Sequence, residues 1–195
     1  MTATGRLTLV TGGARSGKSH FAEGLARAGR VPVLYVATAQ VWPDDAEMAD
    51  RIREHQRRRP SDWGTLEAPR AVGRALSALP APPGTVLLDD LGLLVTNHLL
   101  ALCGDADPTR ETARLLDAAL ASELDDLAAA QAAGGWDVIV VTNEVGLGIV
   151  PPTPLGRIFR DAIGRANQQF AARADAVYLL VAGIPLAIKP DPPSH

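Results

Sequence analysis

Residues 7–19 read LTLVTGGARSGKS, an apolar strand-like run followed at once by a glycine-rich loop and the first residues of a helical pattern. Gly12, Gly17, Lys18 and Ser19 match the pattern G-x-x-x-x-G-K-[ST]. In such a loop the glycines let backbone N–H groups curve round phosphate groups, and the positive end of the following helix points at the same place. The stretch therefore predicts a loop that binds nucleoside triphosphate phosphates.

The side chains of this loop have separate expected tasks. Lys18 is expected to reach the β- and γ-phosphates and to take part in catalysis. Ser19 offers a hydroxyl to Mg²⁺, an ion that keeps most of its waters and takes few protein ligands. Arg15 adds positive charge. The predicted phosphate-binding set is Gly12, Gly13, Ala14, Arg15, Ser16, Gly17, Lys18 and Ser19.

A second apolar run, TVLLD at residues 85–89, ends in carboxylates. Carboxylates at the end of a buried strand can hold the water shell of Mg²⁺ beside a triphosphate. Asp89 is the predicted metal-side residue, together with Ser19. The alternative is that Asp89 or Asp90 only caps the following helix, because aspartate is a common N-cap.

Along the whole chain, short apolar runs alternate with longer segments of helical period. This order predicts an α/β fold with a mostly parallel sheet and helices on both faces, and the continuous apolar runs predict strands buried on both sides. Strands are expected at residues 7–11, 33–37, 85–89, 138–142 and 176–182, with a short last strand at 186–188; helices are expected at 18–28, 44–58, 70–79, 91–102, 109–132 and 155–173. One domain is expected over residues 1–189, with a frayed tail at 190–195.

Composition excludes several classes of function. A net charge of -3 and an aromatic content of 4% argue against a nucleic-acid partner. Cys103 is the only cysteine, so neither an intrachain disulfide nor a cysteine-based zinc cluster is expected. Neither a signal peptide nor an apolar run of bilayer length is recognisable, so we expect a cytoplasmic protein without a membrane anchor.

Three classes of P-loop protein are considered as alternatives to an enzyme that acts on one specific substrate. A regulatory GTPase is suggested by D-x-x-G at residues 89–92, but the guanine-reading N-K-x-D pattern is missing where residues 143–146 read NEVG. A nucleic-acid motor is disfavoured by the acidic balance and the short chain. A generic small-metabolite kinase stays open at this point.

Two long segments carry a resemblance to one enzyme family. Residues 44–69 read DDAEMADRIREHQRRRPSDWGTLEAP, and residues 143–189 read NEVGLGIVPPTPLGRIFRDAIGRANQQFAARADAVYLLVAGIPLAIK. With GGARSGKS and with ATA at 37–39, they resemble the bifunctional adenosylcobinamide kinase and adenosylcobinamide-phosphate guanylyltransferase family of cobalamin biosynthesis. The resemblance covers nearly the whole chain.

The resemblance implies two reactions. The family phosphorylates the hydroxyl of the aminopropanol arm of adenosylcobinamide with ATP or GTP. It then transfers GMP from GTP to that phosphate, which releases pyrophosphate and yields adenosylcobinamide-GDP. The resemblance also implies a RecA-like P-loop fold and a homo-oligomer, often a homotrimer.

His55 matches the histidine that is guanylylated in this family, and Arg59 and Glu67 match positions that we assign to nucleotide binding. A neutral imidazole can attack the α-phosphorus of GTP and split one displacement into two. Met48, Ile52 and His55 follow helical spacing, so His55 continues an apolar stripe, although a lone histidine among charges is commonly a solvated residue. Arg59 stands in an R-P pair where a bidentate guanidinium can bind a triphosphate; the alternative is a solvated face.

The chain departs from the family pattern at two places. Residues 89–92 read DDLG where D-C-L-T or E-C-L-T is usual, and Gln56 stands where arginine is usual. The first departure bears on metal or substrate contacts, and the second removes one phosphate-facing charge. The remaining histidines, His20, His98 and His195, are interpreted as structural or solvent-exposed.

Overall fold

The computed structural model describes residues 5–40, 53, 57, 59–104 and 106–190. The strands are β1 (Leu7–Gly12), β2 (Val33–Ala37), β3 (Gly64–Glu67), β4 (Thr85–Asp89), β5 (Asp137–Val141), β6 (Ala176–Val181) and β7 (Ile184–Lys189). The helices are α1 (Lys18–Ala28), α2 (Val72–Ser77), α3 (Leu91–Cys103), α4 (Arg110–Gly134) and α5 (Pro154–Arg173). The strands form one sheet in the order β3-β2-β4-β5-β1-β6-β7. All pairings are parallel except that of β7 with β6.

The central strands bury both of their faces, because alternate residues belong to two separate hydrophobic clusters. In β4, Val86 and Leu88 join the larger cluster, while Leu87 joins the smaller one. Helix α1 contributes to the smaller cluster, whereas α3, α4 and α5 contribute to the larger. This arrangement confirms the predicted fold class of a mostly parallel sheet covered on both faces by helices.

Two strand predictions were incomplete. Burial on both faces is wrong for the last strand, where Ile184, Leu186 and Ile188 are 70%, 58% and 59% exposed, because β7 is an edge strand with a neighbour on one side. Strand β3 was not predicted, since GTLE holds a single large apolar side chain, Leu66. It nevertheless pairs in parallel with β2.

The predicted helices at 18–28, 91–102, 109–132 and 155–173 are present within two residues of their expected ends, and the one at 70–79 is shorter. Side-chain caps fix three of these starts, because Asp90, Thr109 and Thr153 accept bonds from backbone N–H groups in the first turn. The predicted helix at 44–58 lies outside the described residues except for 53 and 57, and the tail at 191–195 lies outside them too. Among the described helices, none combines the length and apolarity that a bilayer span requires.

One buried carboxylate ties three helices together. Glu123 of α4 accepts hydrogen bonds from the backbone N–H groups of Ala71 and Val72 at the start of α2. Its Oε1 also lies 2.9 Å from Nε2 of His98 in α3. Burial by itself would raise the pKa of Glu123, but the bonds from His98, Ala71 and Val72 outweigh it and hold that pKa below its usual 4.5. His98 is therefore structural, as predicted.

Glu123→Gln is expected to lower the free energy of unfolding near neutral pH by about 1–3 kcal/mol, because one charged acceptor of three bonds becomes a neutral one. The folded-state pKa of Glu123 lies below the unfolded value of 4.5. Its contribution is therefore present above about pH 4.5 and lost as the pH falls through the folded-state pKa. Urea unfolding across this range should show a steeper acid loss in the wild type than in the variant.

The matched control is Glu111→Gln on the same helix, because Glu111 forms only an exposed pair with Arg114. This variant should unfold at a urea concentration close to that of the wild type. Equal destabilisation by the two substitutions would contradict the assigned role of Glu123.

Candidate phosphate-binding site

The glycine-rich loop follows β1 at the carboxyl edge of the sheet, and the two neighbouring strands hold it there. After β5, Glu144 N donates to Gly12 O at 3.0 Å. From the turn between β6 and β7, Gly183 N donates to Ser16 O at 2.9 Å. Within the loop, Ser16 N donates to Gly13 O at 3.3 Å. The loop is thus supported on both sides by backbone groups that are independent of side-chain identity.

Two glycines of the loop cannot be replaced without strain. A Cβ at Gly12 would stand 2.6 Å from Ser16 Oγ and 2.7 Å from Leu180 O. Gly17 has a φ of +93°, and a Cβ there would stand 3.2 Å from the Cα of Gly183. By contrast, a Cβ at Gly13 would meet nothing within 4 Å. The loop is therefore tight on its protein side and open on its outer side, where phosphates are expected.

Lys18 begins α1 and lies at the centre of the loop. Its side chain is buried, and its Nζ donates to Gly13 O at 3.2 Å. Its positive charge also acts on the carboxyl of Asp90. A buried ammonium beside the start of an 11-residue helix provides the positive field that a triphosphate requires.

Two hydroxyls at the loop are unsatisfied. Thr11 Oγ1 and Ser16 Oγ are buried and have no hydrogen-bond partner within the part of the chain that the structure describes. A buried polar group without a partner costs about 1–3 kcal/mol. Such groups call for an explanation, and a bound ligand that completes the hydrogen bonding is one. These orphaned hydroxyls fit a loop built round a polar ligand.

The two aspartates at the end of β4, Asp89 in its last position and Asp90 directly after it, have different partners. Asp90 caps α3, because its Oδ1 accepts from Leu93 N at 2.7 Å. Its Oδ2 accepts from Asn143 Nδ2 at 3.2 Å. Burial raises the pKa of the Asp90 carboxyl, and the charge of Asp89 adds to the rise. The capping alternative therefore holds for Asp90, and Asp89 keeps its place as the candidate for the metal side.

Polar side chains outside the predicted site brace the strand ends round Asp90. The hydroxyl of Thr38 donates to Asp90 O at 2.8 Å and accepts from Asp90 N at 3.0 Å. In α3, Asn97 Nδ2 donates to Thr38 O at 2.7 Å. In α5, Asn167 Nδ2 donates to Asn143 O at 3.1 Å. Thr38 and Asn97 are polar residues in apolar surroundings, which is the signal that marks them in the sequence.

The order of the strands sets the distance between the glycine-rich loop and Asp89. Strand β5 lies between β1 and β4, so the loop and Asp89 stand two strand spacings apart, or about 10 Å. Among the described residues, no group of three or more His, Cys, Asp or Glu side chains could hold a metal ion. Mg²⁺ commonly binds through few protein groups and keeps several waters, so one hydroxyl and one carboxylate are a donor set that suits it. Ser19 and Asp89 are the residues that would hold it.

Arg59 lies over Tyr35 on the face of the sheet that α1 covers. The guanidinium carbon of Arg59 is 3.4 Å from the centroid of the Tyr35 ring, and the Tyr35 hydroxyl donates to Asp89 Oδ2 at 2.8 Å. Burial raises the pKa of Tyr35 far above its usual range, and the charge of Asp89 adds to the rise. The hydroxyl therefore stays protonated and remains a donor. Trp63 packs against the same cluster, with Arg27 of α1 5.9 Å from its ring.

Of the other predicted residues, Glu67 and Arg15 lie within the described part of the chain, and His55 does not. Glu67 is exposed at the carboxyl end of β3, which is separated from β4 by β2. Arg15 is exposed in the loop with a φ of +57°. His55 lies outside the described residues and stays a prediction. The loop at 145–153 is held by Arg157, whose Nη1 donates to the carbonyls of Pro151 and Pro152.

Gly17→Ala is expected to weaken binding of Mg-GTP at least tenfold and to destabilise the fold by about 1–2 kcal/mol, because alanine at positive φ strains the loop. Equilibrium dialysis and thermal unfolding with and without Mg-GTP would measure both effects. The matched control is Gly24→Ala in α1, where a Cβ meets nothing within 4 Å. That substitution should leave binding unchanged and stabilise the helix slightly. Normal binding by the Gly17 variant would refute the assignment of this loop.

Known proteins similar to this chain point to one family. The family model described as cobinamide kinase / cobinamide phosphate guanyltransferase matches residues 8–188. The bifunctional adenosylcobalamin biosynthesis protein CobU of Salmonella typhimurium is 46% identical over 94% of this chain and 99% of its own. The Escherichia coli protein of the same name is 44% identical over the same shares. CobP of Pseudomonas aeruginosa is 41% identical over 94% of this chain and 98% of its own.

Among solved structures, a KaiC-like protein from Pyrococcus horikoshii is similar, with a TM-score of 0.43, 18% identity, and coverage of 90% of this chain and 71% of that one. The family rests on the sequence matches, which span β1 to β7 and include the phosphate-binding loop. The chain therefore belongs to the cobinamide kinase / cobinamide phosphate guanyltransferase family.

Proposed function

We propose that the chain carries out two successive reactions of adenosylcobalamin biosynthesis. It phosphorylates adenosylcobinamide with ATP or GTP, and then transfers GMP from GTP to adenosylcobinamide phosphate through a guanylylated His55. The products of the second reaction are adenosylcobinamide-GDP and pyrophosphate. Support comes from membership of the family over residues 8–188 and from relatives named as bifunctional adenosylcobalamin biosynthesis proteins.

The observation that carries the proposal is the phosphate-binding loop with Lys18 buried at its centre. In the kinase step the substrate hydroxyl oxygen attacks the γ-phosphorus, and the bond from that phosphorus to the β-γ bridging oxygen breaks. Lys18 lies where its charge would stabilise the transferring phosphoryl group. The backbone of the loop, held by Gly183 and Glu144, would keep the triphosphate in one orientation.

Mg²⁺, when bound, supplies charge neutralisation on the β- and γ-phosphates. The residues of this chain that would hold it are Ser19, which is half-buried beside Lys18, and Asp89. The Tyr35 hydroxyl fixes one oxygen of Asp89. Asp90 does not compete for the metal role in this proposal, because both of its carboxylate oxygens already accept hydrogen bonds.

In guanylyl transfer, a neutral nitrogen of the His55 ring attacks the α-phosphorus of GTP and pyrophosphate leaves. A phosphate oxygen of the corrinoid substrate then attacks the same phosphorus, and the P–N bond breaks to regenerate the imidazole. Arg59 would bind the triphosphate through its N–H groups. It stands four positions after His55 in the sequence, and its guanidinium lies beside the Tyr35–Asp89 pair. Glu67 is proposed to contact the nucleotide from the end of β3.

We further propose that the chain acts as a homo-oligomer, a trimer by the family resemblance. The exposed apolar side chains of the edge strand β7 support association, because Ile184, Leu186 and Ile188 are each more than half exposed. An isolated chain would leave this apolar row in water.

Lys18→Ala should reduce the kinase rate by at least about 100-fold, because the developing charge on the phosphoryl group loses its closest cation. Phosphorylation of adenosylcobinamide by ATP or GTP would be followed by chromatography of the products. Lys189→Ala is the matched control, since Lys189 is the one other lysine and its ammonium contacts carbonyls of α5. Full kinase activity in the Lys18 variant, or equal losses in both variants, would contradict the proposal.

His55→Ala should abolish covalent labelling by GTP that carries the label in its α-phosphate, while the kinase step persists. The wild-type adduct should be acid-labile, because protonation of a phosphoramidate nitrogen makes it a good leaving group, whereas a phosphoester on serine would persist. Measurement requires labelling, acid treatment and filter counting, with release of pyrophosphate scored in parallel.

His20→Ala is the control for this experiment, because His20 is exposed on α1 and carries no assigned task. It should label like the wild type. Undiminished labelling of the His55 variant would refute the guanylylated histidine, and a wild type that binds GTP without forming either product would indicate a GTP-binding protein instead.

A further inference from the structure

Tyr35 makes two polar contacts through different parts of its side chain from a buried position. It is 3% exposed in the middle of β2. Its hydroxyl donates to Asp89 Oδ2 at 2.8 Å, and its ring face carries the guanidinium carbon of Arg59 at 3.4 Å from the centroid. Packing alone calls for an apolar ring here, and phenylalanine would supply it. The hydroxyl and the stacked cation therefore require another explanation.

The register of the sheet explains how one side chain reaches both groups. Tyr35 pairs with Leu87, and Ala37 pairs with Asp89, on parallel strands. Leu87 and Asp89 are two residues apart, so they share a face of the sheet with the paired Tyr35. The long ring spans that two-residue step toward the carboxyl edge. A shorter side chain at residue 35 would leave Asp89 without this donor.

Arg59 contacts the Tyr35 ring through its guanidinium. Its Nε is buried and, among the residues that the structure describes, has no hydrogen-bond partner. The short distance to the Tyr35 centroid places the flat face of the guanidinium on the ring, and a guanidinium stacked in this way still binds phosphate through N–H groups at its edge. Pro60, which follows Arg59, accepts a bond from Trp63 N at 3.2 Å, so the chain turns directly after this contact.

We propose that Tyr35 is a positioning residue for both reactions: its hydroxyl orients Asp89 on the metal side of the phosphate site, and its ring orients Arg59 for the triphosphate of GTP. The inference rests on the proposed function and adds a shared residue to it. Because the two contacts use different parts of one side chain, the hydroxyl contact can be removed while the ring contact stays.

Tyr35→Phe keeps the ring and removes the hydroxyl. The Mg²⁺ concentration for half-maximal binding of GTP should rise about three- to tenfold, which is the order of the net contribution of one hydrogen bond. At saturating Mg²⁺ the affinity for GTP should stay within about twofold of the wild type. Tyr35→Leu removes both contacts and should also weaken GTP binding at saturating Mg²⁺ by about three- to thirtyfold. Equilibrium dialysis measures both quantities without turnover.

A double-substitution cycle separates positioning from a general structural effect. If the hydroxyl acts through Asp89, Tyr35→Phe should add nothing to the Mg²⁺ requirement of Asp89→Ala, which removes the acceptor of its hydrogen bond. The same rise in both backgrounds would overturn this half of the proposal. Equal GTP affinities of the Phe and Leu variants at saturating Mg²⁺ would overturn the half that concerns Arg59.

The matched control is Tyr178→Phe, because Tyr178 is the other tyrosine of the chain and its ring packs at 5.1 Å from that of Phe21. This variant should keep the wild-type Mg²⁺ requirement and GTP affinity. Thermal unfolding of each variant reports folding, and Tyr35→Phe conserves the volume of the core. These experiments measure binding and not product. A wild type that forms neither corrinoid product would contradict the proposed function, and the binding data would still test the role of Tyr35.

Discussion

The backbone clamp on the glycine-rich loop is the constraint on which the site depends. Glu144, which follows β5, donates its N–H to Gly12 O, and Gly183, in the turn between β6 and β7, donates its N–H to Ser16 O. Parallel strands bring their carboxyl ends to one edge, so the loop after β1 meets the segments after β5 and β6 there. With the loop fixed in this way, Lys18 begins a helix whose positive end faces the same edge. Any change that loosens the clamp would act on every phosphate contact together.

The same edge separates two acidic residues by task. Asp90 has a structural role, because it forms hydrogen bonds with Leu93, Asn143 and Thr38. Asp89 has its carboxylate on the other face, with Tyr35 as a donor. The departure from the usual family pattern at residues 89–92 therefore places a cap at Asp90 and leaves the metal-side candidate in the preceding position. The two adjacent carboxylates can serve different purposes because they have different hydrogen-bond partners.

Much of this arrangement could be predicted from the sequence, for identifiable reasons. The loop was predictable because the spacing of its glycines, lysine and serine is typical of phosphate binding. The five long strands were predictable because both of their faces are apolar. Strand β3 was not, since Leu66 alone gives it no pattern, and exposure of β7 was not, since an apolar run does not reveal which strand lies at an edge. Tyr35 was missed because its partners, Asp89 and Arg59, are 54 and 24 residues away in sequence and meet only through strand order.

A crystal structure with Mg²⁺ and a non-hydrolysable GTP analogue would show directly whether the glycine-rich loop holds the triphosphate. The predicted result has the phosphates within hydrogen-bond distance of the backbone N–H groups of residues 13–19, with Lys18 Nζ moved from Gly13 O to a phosphate oxygen and Arg59 still on the Tyr35 ring. A triphosphate bound away from this loop, with Lys18 Nζ still on Gly13 O, would contradict it.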